Sequence, residues 1–217
     1  MRDFPFFTTE YGVSSISLRE IPYKGQAFIW VRTVQEGMLS AHLQECISLC
    51  RMAGAEQILA GNHPDLERFP VYTKLLEMRG TVNRNPERVA FVRPVTEKTA
   101  GEWRGLYNQK LRKVDCAATL EFREEAKLPN SGTCFVERDQ KLLGIGWLEE
   151  DTIRAVASLV PGGGEWIVQS MAAQVPDRSL KLEVASTNEK AIRLYQSLGF
   201  RTARCLAEWR EIPRASW

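Results

Sequence analysis

The run Leu180–Phe200 (LKLEVASTNEKAIRLYQSLGF) constrains this chain more than any other segment. Leu180, Leu182 and Val184 alternate with polar residues, the period of a half-buried strand. Ser186 through Glu189 fits a capping box, in which hydroxyl and carboxylate satisfy free amides at a helix start. Ala191, Leu194, Tyr195 and Leu198 then recur at i, i+3, i+4 and i+7 and so share one helical face. Gly199 suits the positive φ that ends a helix, and Phe200 returns to apolar sequence. The segment therefore reads as a strand, a capped helix and a second strand.

Upstream of it, from about Arg93, the pattern predicts a strand over Val92–Val95. Trp103, Leu106, Tyr107, Leu111 and Val114 suit one helical face, and Ala117–Ala126 reads as a second helix ending near Pro129. The cluster Pro129-Asn130-Ser131-Gly132 is a turn. Three short runs follow, Thr133–Glu137, Leu142–Leu148 and Ile153–Val160, joined by short polar connections, as in an antiparallel meander. Pro161-Gly162-Gly163-Gly164 breaks the pattern, and Trp166, Ile167 and Met171 place a helix up to about Val175. The order is β-α-α-β-β-β-α-β-α-β.

That order, with Asn188, Ala191, Leu194-Tyr195 and Leu198-Gly199-Phe200 after an apolar strand, resembles the GNAT superfamily of acyltransferases. The resemblance covers roughly Arg93 to the end. It implies an α/β (α+β) fold, a mixed, mostly antiparallel sheet flanked by helices and splayed between its fourth and fifth strands. It also implies an N-acyltransferase, with acetyl-CoA as co-substrate and an amine that attacks the thioester directly. By the same resemblance Asn188 binds the co-substrate near its helix start, and Tyr195 protonates the departing thiolate. From this helix alone, the favoured reading is that Asn188 is only a cap and Tyr195 only core.

Relatives carry Arg/Gln-x-x-Gly-x-Gly/Ala between the fourth strand and the next helix, where glycine amides and a helix N-terminus meet a pyrophosphate. Here the equivalent run is Leu159-Val160-Pro161-Gly162-Gly163-Gly164-Glu165. Gly162 and Gly164 supply the Gly-x-Gly, but Leu159 stands where Arg or Gln is expected. Glu165 adds a negative charge in the first helical turn, which suits the helix dipole and repels a phosphate. The expected co-substrate contacts are thus Leu159, Val160, Gly162, Gly163, Gly164, Asn188 and Tyr195, with weaker CoA affinity than a complete loop gives. Many relatives place a glutamate on the fourth strand as base; none lies in Ile153–Val160. Glu149, at the end of the preceding strand, is the candidate, with Glu150 and Glu183 as other local carboxylates. Positioning of two reactants also accelerates transfer without any base.

The first half carries a shorter β-α-β-α plan. Val13–Ile21 and Gln26–Val34 form a hairpin around Pro22-Tyr23-Lys24-Gly25. Leu39, Leu43, Cys46, Ile47 and Cys50 suit a helix ending near Gly54. Gln57–Ala60 is a short strand, and Leu66–Met78 reads as a helix interrupted by Pro70. Residues 1–85 then form a truncated, degenerate GNAT-like half, and residues 90–217 the acyltransferase domain, with the linker at Asn83–Glu87. Duplication and coincidence of a common plan both stay open.

The remaining constraints are exclusions. A net charge of +2 without a basic stripe disfavours nucleic acid and anionic membrane as main partners. Five scattered cysteines without a CxxC pair suit reduced thiols in the cytosol. The start, Met1–Pro5, has no apolar core of a leader, and no run approaches a membrane span, so a cytoplasmic location is expected. His42, Cys46 and Cys50 share a helical face at ligand spacing, but a buried face shared with Leu39, Leu43 and Ile47 is the expected reading, without metal. Among Trp147, Trp166, Trp209 and Trp217, only Trp147 falls on the third strand of the later half, which by the resemblance flanks the acceptor side. The expected acceptor is a small-molecule or peptide amine. A GNAT-fold protein that binds CoA or another effector without turnover, or serves as a scaffold, is the alternative. Oligomeric state is not legible.

Overall fold

In a computed structural model, residues 5–214 of the chain are described. The elements run β1 (Phe6–Thr8), β2 (Gly12–Ser17), α1 (Ile21–Lys24), β3 (Gln26–Val34), α2 (Leu39–Met52), β4 (Gln57–Gly61) and β5 (Val71–Thr81). They continue as β6 (Phe91–Pro94), α3 (Ala100–Leu111), β7 (Thr133–Arg138), β8 (Lys141–Glu149), β9 (Thr152–Ser158), α4 (Gly163–Ala172), β10 (Ser179–Ala185), α5 (Glu189–Ser197) and β11 (Arg201–Glu211). Two units result, Met1–Leu75 with Leu206–Trp217, and Leu76–Cys205. Each takes part of β5 and part of β11.

In the second unit the strand order is β5-β10-β9-β8-β7-β6. β6 through β9 pair antiparallel in sequence order, as the meander predicts, and β9 pairs parallel with β10. Parallel pairing needs a crossover, which α4 supplies. Side chains of β9 and β10 meet α4 and α5 in one cluster, where Ile153, Leu180 and Leu182 pack with Ile167, Met171 and Leu198. A separate cluster sets Trp103 and Tyr107 of α3 against Phe135, Ile145 and Ala157. Trp103 is fully buried, and its Nε1 donates to the Cys134 carbonyl at 3.0 Å. Helices thus anchor the sheet through two apolar groups, and burying a side chain of this size is worth about 2–3 kcal/mol.

In the first unit the order is β1-β2-β3-β4-β11, with β3 and β4 parallel and α2 between them in sequence. The His42 face of α2 is buried as expected, but His42 makes polar contacts there. Thr9 Oγ1 accepts the amides of Tyr11 and Gly12 at 3.1 and 3.2 Å, so its hydrogen goes to His42 Nδ1 at 2.8 Å. That leaves Nε2–H to donate to Ser14 Oγ at 2.8 Å, with Cys46 Sγ 3.7 Å away. Both ring nitrogens are therefore occupied. The five cysteines are free thiols.

Several local expectations change. The expected helix over Leu66–Met78 is a 3₁₀ turn, Pro64–Arg68, followed by strand β5. Pro70 ends the helical path, and Val71, Tyr72 and Thr73 favour the pleated conformation. The second helix of the later half is not Ala117–Ala126 but a 3₁₀ stretch, Phe122–Asn130, opened by a reciprocal Glu121–Glu124 capping box. The capping box expected at Ser186–Glu189 is absent: Asn188 is the cap, its side chain accepting from the Ala191 amide at 3.4 Å. Among the described residues, no helix is long and apolar enough to cross a membrane.

Candidate functional site

The site begins with a gap in the second unit's sheet. β9 and β10 pair at only two positions, Thr152 with Lys181 and Leu182 with Ile153. The cause lies on the other edge of β9. Along β8, Trp147 faces Ala155 but Leu148 faces Ile153, so Arg154 is an extra residue. Such a bulge bends its strand and shifts the side-chain alternation; accordingly Ile153 and Val156, three apart, pack in the same cluster. Beyond the bulge, Ala155–Ser158 of β9 and Glu183–Ala185 of β10 form no ladder with each other. The strands part over about 10 Å of their length.

At the open end of β9 the chain passes through Leu159–Gly162 into α4. Leu159 N donates to the Leu143 carbonyl at 2.8 Å, and Ser158 Oγ to the Val160 carbonyl at 2.5 Å. Gly162 has φ +74°, and a Cβ there would meet nothing within 4 Å, so its backbone is open to approach. Gly163 and Gly164 are not loop residues; they are the first two residues of α4. Gly163 is wedged against Ser158 Oγ, which would lie 2.5 Å from an added Cβ. At Gly164 an added Cβ would lie 2.7 Å from Leu194 Cδ2 of α5. These two glycines therefore let α4 start close to both β9 and α5. No side chain caps α4; the first-turn amides of a helix lack intrahelical acceptors, though that of Gly163 donates to the Val160 carbonyl at 3.1 Å.

On the other strand, Asn188 closes the turn after β10 and caps α5 with its Oδ1. Tyr195 lies two turns further along α5, 8% exposed, in the cluster that contains Ile167, Met171 and Leu182. Its ring tilts against Phe200 with centroids 5.7 Å apart. Burial pushes its hydroxyl up to about 12, with no hydrogen bond contributing, so the phenol stays protonated at neutral pH.

Leu159, Val160, Gly162, Gly163 and Gly164 thus form one turn and helix start, which meets α5, the helix capped by Asn188 and bearing Tyr195, at Leu194. The structure does not bring Glu149 to them. Glu149 pairs with Thr152 across β8 and β9, at the start of β9, roughly 20 Å of strand from the glycine turn. There it bonds Arg154 at 2.8 Å and is half exposed. A groove of ≈ 300 Å³ lies at that end, lined by four glutamates (77, 149, 150, 183), Arg154 and Lys181 among others. Arg79 and Arg204 hold Glu77 at 2.6 and 3.0 Å and keep its carboxyl below the ordinary range.

Two arginines that sequence reasoning passed over stand at the start of α4. Arg88 Nε lies 3.7 Å from Glu165, so the carboxylate beside the turn is matched by a cation. Arg88 and Arg138 lie 5.1 and 4.2 Å from the Trp166 ring centroid, within cation–π range. Arg88 is placed by bonds between its segment and α4: Gln169 Nε2 donates to the Asn83 carbonyl and the Ala90 amide to Ser170 Oγ, both at 2.9 Å. Only Gln169 and Ser170, polar among the apolar residues that follow Glu165 in α4, hinted at these bonds. Of the other tryptophans, Trp147 lies edge-on to Trp103 and Tyr107, and its Nε1 donates to the Ser131 carbonyl at 2.7 Å. Trp209 packs in the first unit against Phe28 and Trp30. Trp217 and Met1–Phe4 lie outside the described residues.

No family model matches the chain, and no curated protein matches it. Solved structures do. A GCN5-related N-acetyltransferase from Sphaerobacter thermophilus superposes with a TM-score of 0.55 at 11% identity, over 92% of this chain and 76% of that one. A GNAT-family acetyltransferase from Colwellia psychrerythraea gives 0.52 at 12% identity, over 96% and 84%. A conserved protein of unknown function from Staphylococcus epidermidis gives 0.55 at 10% identity, over 96% and 93%. Identities this low speak to the fold alone. The parted parallel strands, the crossover helix and the likeness to these structures agree: the chain has the fold of the GNAT N-acetyltransferases.

Proposed function

We propose that the chain transfers an acetyl group from acetyl-CoA to a primary amine. The observation that carries this reading is the gap between β9 and β10, which opens onto an uncapped helix start behind a glycine turn. The fit can be tested on the residues themselves. The unpaired edges of Ala155–Ser158 and Glu183–Ala185 suit an extended arm bearing amides, by strand-like hydrogen bonding. The α4 amides and the open backbone at Gly162 suit a pyrophosphate. Acetyl-CoA, when bound, supplies a thioester open to attack by an amine.

The chain's own part is then positioning and proton control. Gly163 and Gly164 allow the close approach of α4 that fixes the phosphate site against α5. Asn188 spends Oδ1 on its cap and keeps its amide hydrogens for the ligand. Tyr195 holds a proton at Oη and releases it to the leaving thiolate. No carboxylate of β9 faces the gap, since Ala155–Ser158 reads Ala-Val-Ala-Ser. The amine therefore arrives neutral or loses its proton to solvent, and positioning contributes most of the acceleration.

The depth of Tyr195 in hydrocarbon favours one other reading, a CoA-binding protein without turnover. A thermal-shift titration with acetyl-CoA, then thiol release with a panel of amines, separates the two. Binding with release supports the transferase, binding without release supports the sensor, and neither supports a scaffold.

A further inference from the structure

The glycine turn carries no cation of its own, yet the fold brings cations to it. The start of β8 lies against the turn, through the Leu159–Leu143 bond of 2.8 Å. A Cβ on Gly163 would lie 3.1 Å from the same Leu143 carbonyl. Just before it, β7 and β8 are joined by Asp139 and Gln140, both left-handed at φ 49° and 62°, the two-residue turn that suits hairpin twist. This turn sets Arg138 directly opposite Lys141.

Opposed residues share a face, so two cations stand side by side where like charges repel. The Arg138 guanidinium also lies 4.2 Å from the Trp166 centroid, which ties it to the first turns of α4. The one carboxylate it pairs with among the described residues, Asp139 at 3.4 Å, is 84% exposed, and pairs of that kind are weak. Lys141 forms no ion pair among the described residues. Glu165 is matched by Arg88. The balance at this corner is therefore one cation in excess.

We propose that Arg138 and Lys141 grip the phosphates of CoA, replacing the cation missing at Leu159, while Arg88 cancels Glu165. The inference rests on the reading of the gap as a CoA slot. A guanidinium held over an indole can turn its N–H edge to phosphate for two parallel bonds once the exposed Asp139 gives way. The lysine adds a point charge beside it. Neither residue touches the reacting atoms; both act in binding.

The test is calorimetric titration of the full chain with acetyl-CoA and with S-acetylpantetheine, which lacks the phosphates. The R138Q/K141Q double variant is compared with native protein and with Arg123→Gln, an exposed arginine elsewhere. Melting curves of each variant check folding, and Lys141→Gln alone serves if the double variant is unfolded. Expected are acetyl-CoA binding at least about tenfold weaker in the double variant and a flatter dependence on salt between about 50 and 300 mM. S-acetylpantetheine should bind all of them alike. Equal acetyl-CoA affinity in folded native and variant protein overturns the inference and leaves the CoA slot standing. Failure of native protein to bind acetyl-CoA overturns the slot, and the inference with it.

Discussion

Each unit contains a parallel strand pair joined through a helix, and the two pairs behave oppositely. β3 and β4 are zipped at five consecutive positions, from Gln26–Gln57 to Trp30–Gly61, the whole of β4. β9 and β10 are zipped at two. Both β3 and β9 carry an extra residue, an arginine, against their antiparallel neighbour: Arg32 between Val31 and Thr33, and Arg154 between Ile153 and Ala155. The difference is where the bulge falls. Arg32 comes after β4 has run out, so the bend opens nothing. Arg154 comes early, with three residues of β10 still to run. After β4 the chain also closes the seam, since Asn62 Nδ2 donates to the Val31 carbonyl at 2.7 Å. After β10 the first asparagine, Asn188, stands three residues on and turns its oxygen to its own helix. The gap in the second unit thus follows the position of one inserted residue, and β3 and β4 of the first unit show no such gap.

On this account, changes around the gap should strike function, and changes away from it, in the first unit above all, only stability. The largest effect is expected from Tyr195→Phe, with kcat for amine acetylation lower by about a hundredfold or more while acetyl-CoA affinity holds. Steady-state kinetics beside calorimetry reads both. Next comes Gly162→Asp. Its side chain would project into open space, and aspartate tolerates the left-handed backbone better than most residues. The protein should fold yet bind acetyl-CoA about tenfold more weakly, because a carboxylate then sits at the phosphate turn.

Asn62→Ala should cost about 1 kcal/mol of stability by denaturant titration, through the lost bond to Val31, and leave acetyl-CoA binding unchanged. A pH series probes the same unit. Burial lowers the affinity of His42 for a proton, partly opposed by Glu45 on the same helix. The unfolded chain therefore takes up the proton first as pH falls below about 6.5, and native stability is lost from there downward. The melting midpoint should drop as pH falls below about 6.5, and drop less in His42→Gln. The smallest effect belongs to Glu149→Gln. It removes an exposed ion pair with Arg154 far from the glycine turn, and thiol release should change less than about twofold.

The sequence showed the frame of this site and hid its trigger. The meander, the glycine turn and the α5 motif were legible because periodicity and turn residues are local. Leu66–Met78 suggests a helix where β5 forms, since Leu75 and Met78, three apart, suit a helical face, and only pairing in the sheet settles it. Asn188 took the cap in place of Ser186 because either residue type can serve, and the path of the chain chooses. Arg154 is one charged residue in a strand, and nothing local marks it as an insertion against β8. Arg138 and Lys141 meet the turn through Leu143, a contact between segments sixteen residues apart (Leu143 to Leu159) that no pattern announces.

Amide hydrogen exchange with and without saturating acetyl-CoA tests the slot most directly. The account predicts fast exchange at the gap-facing amides of Ala155–Ser158 and Glu183–Ala185 in the free protein, slowed on adding acetyl-CoA. Phe28–Trp30 and Leu59–Gly61 should be slow in both states. Slow exchange along both edges before any ligand is added, or no change at saturation, would contradict it.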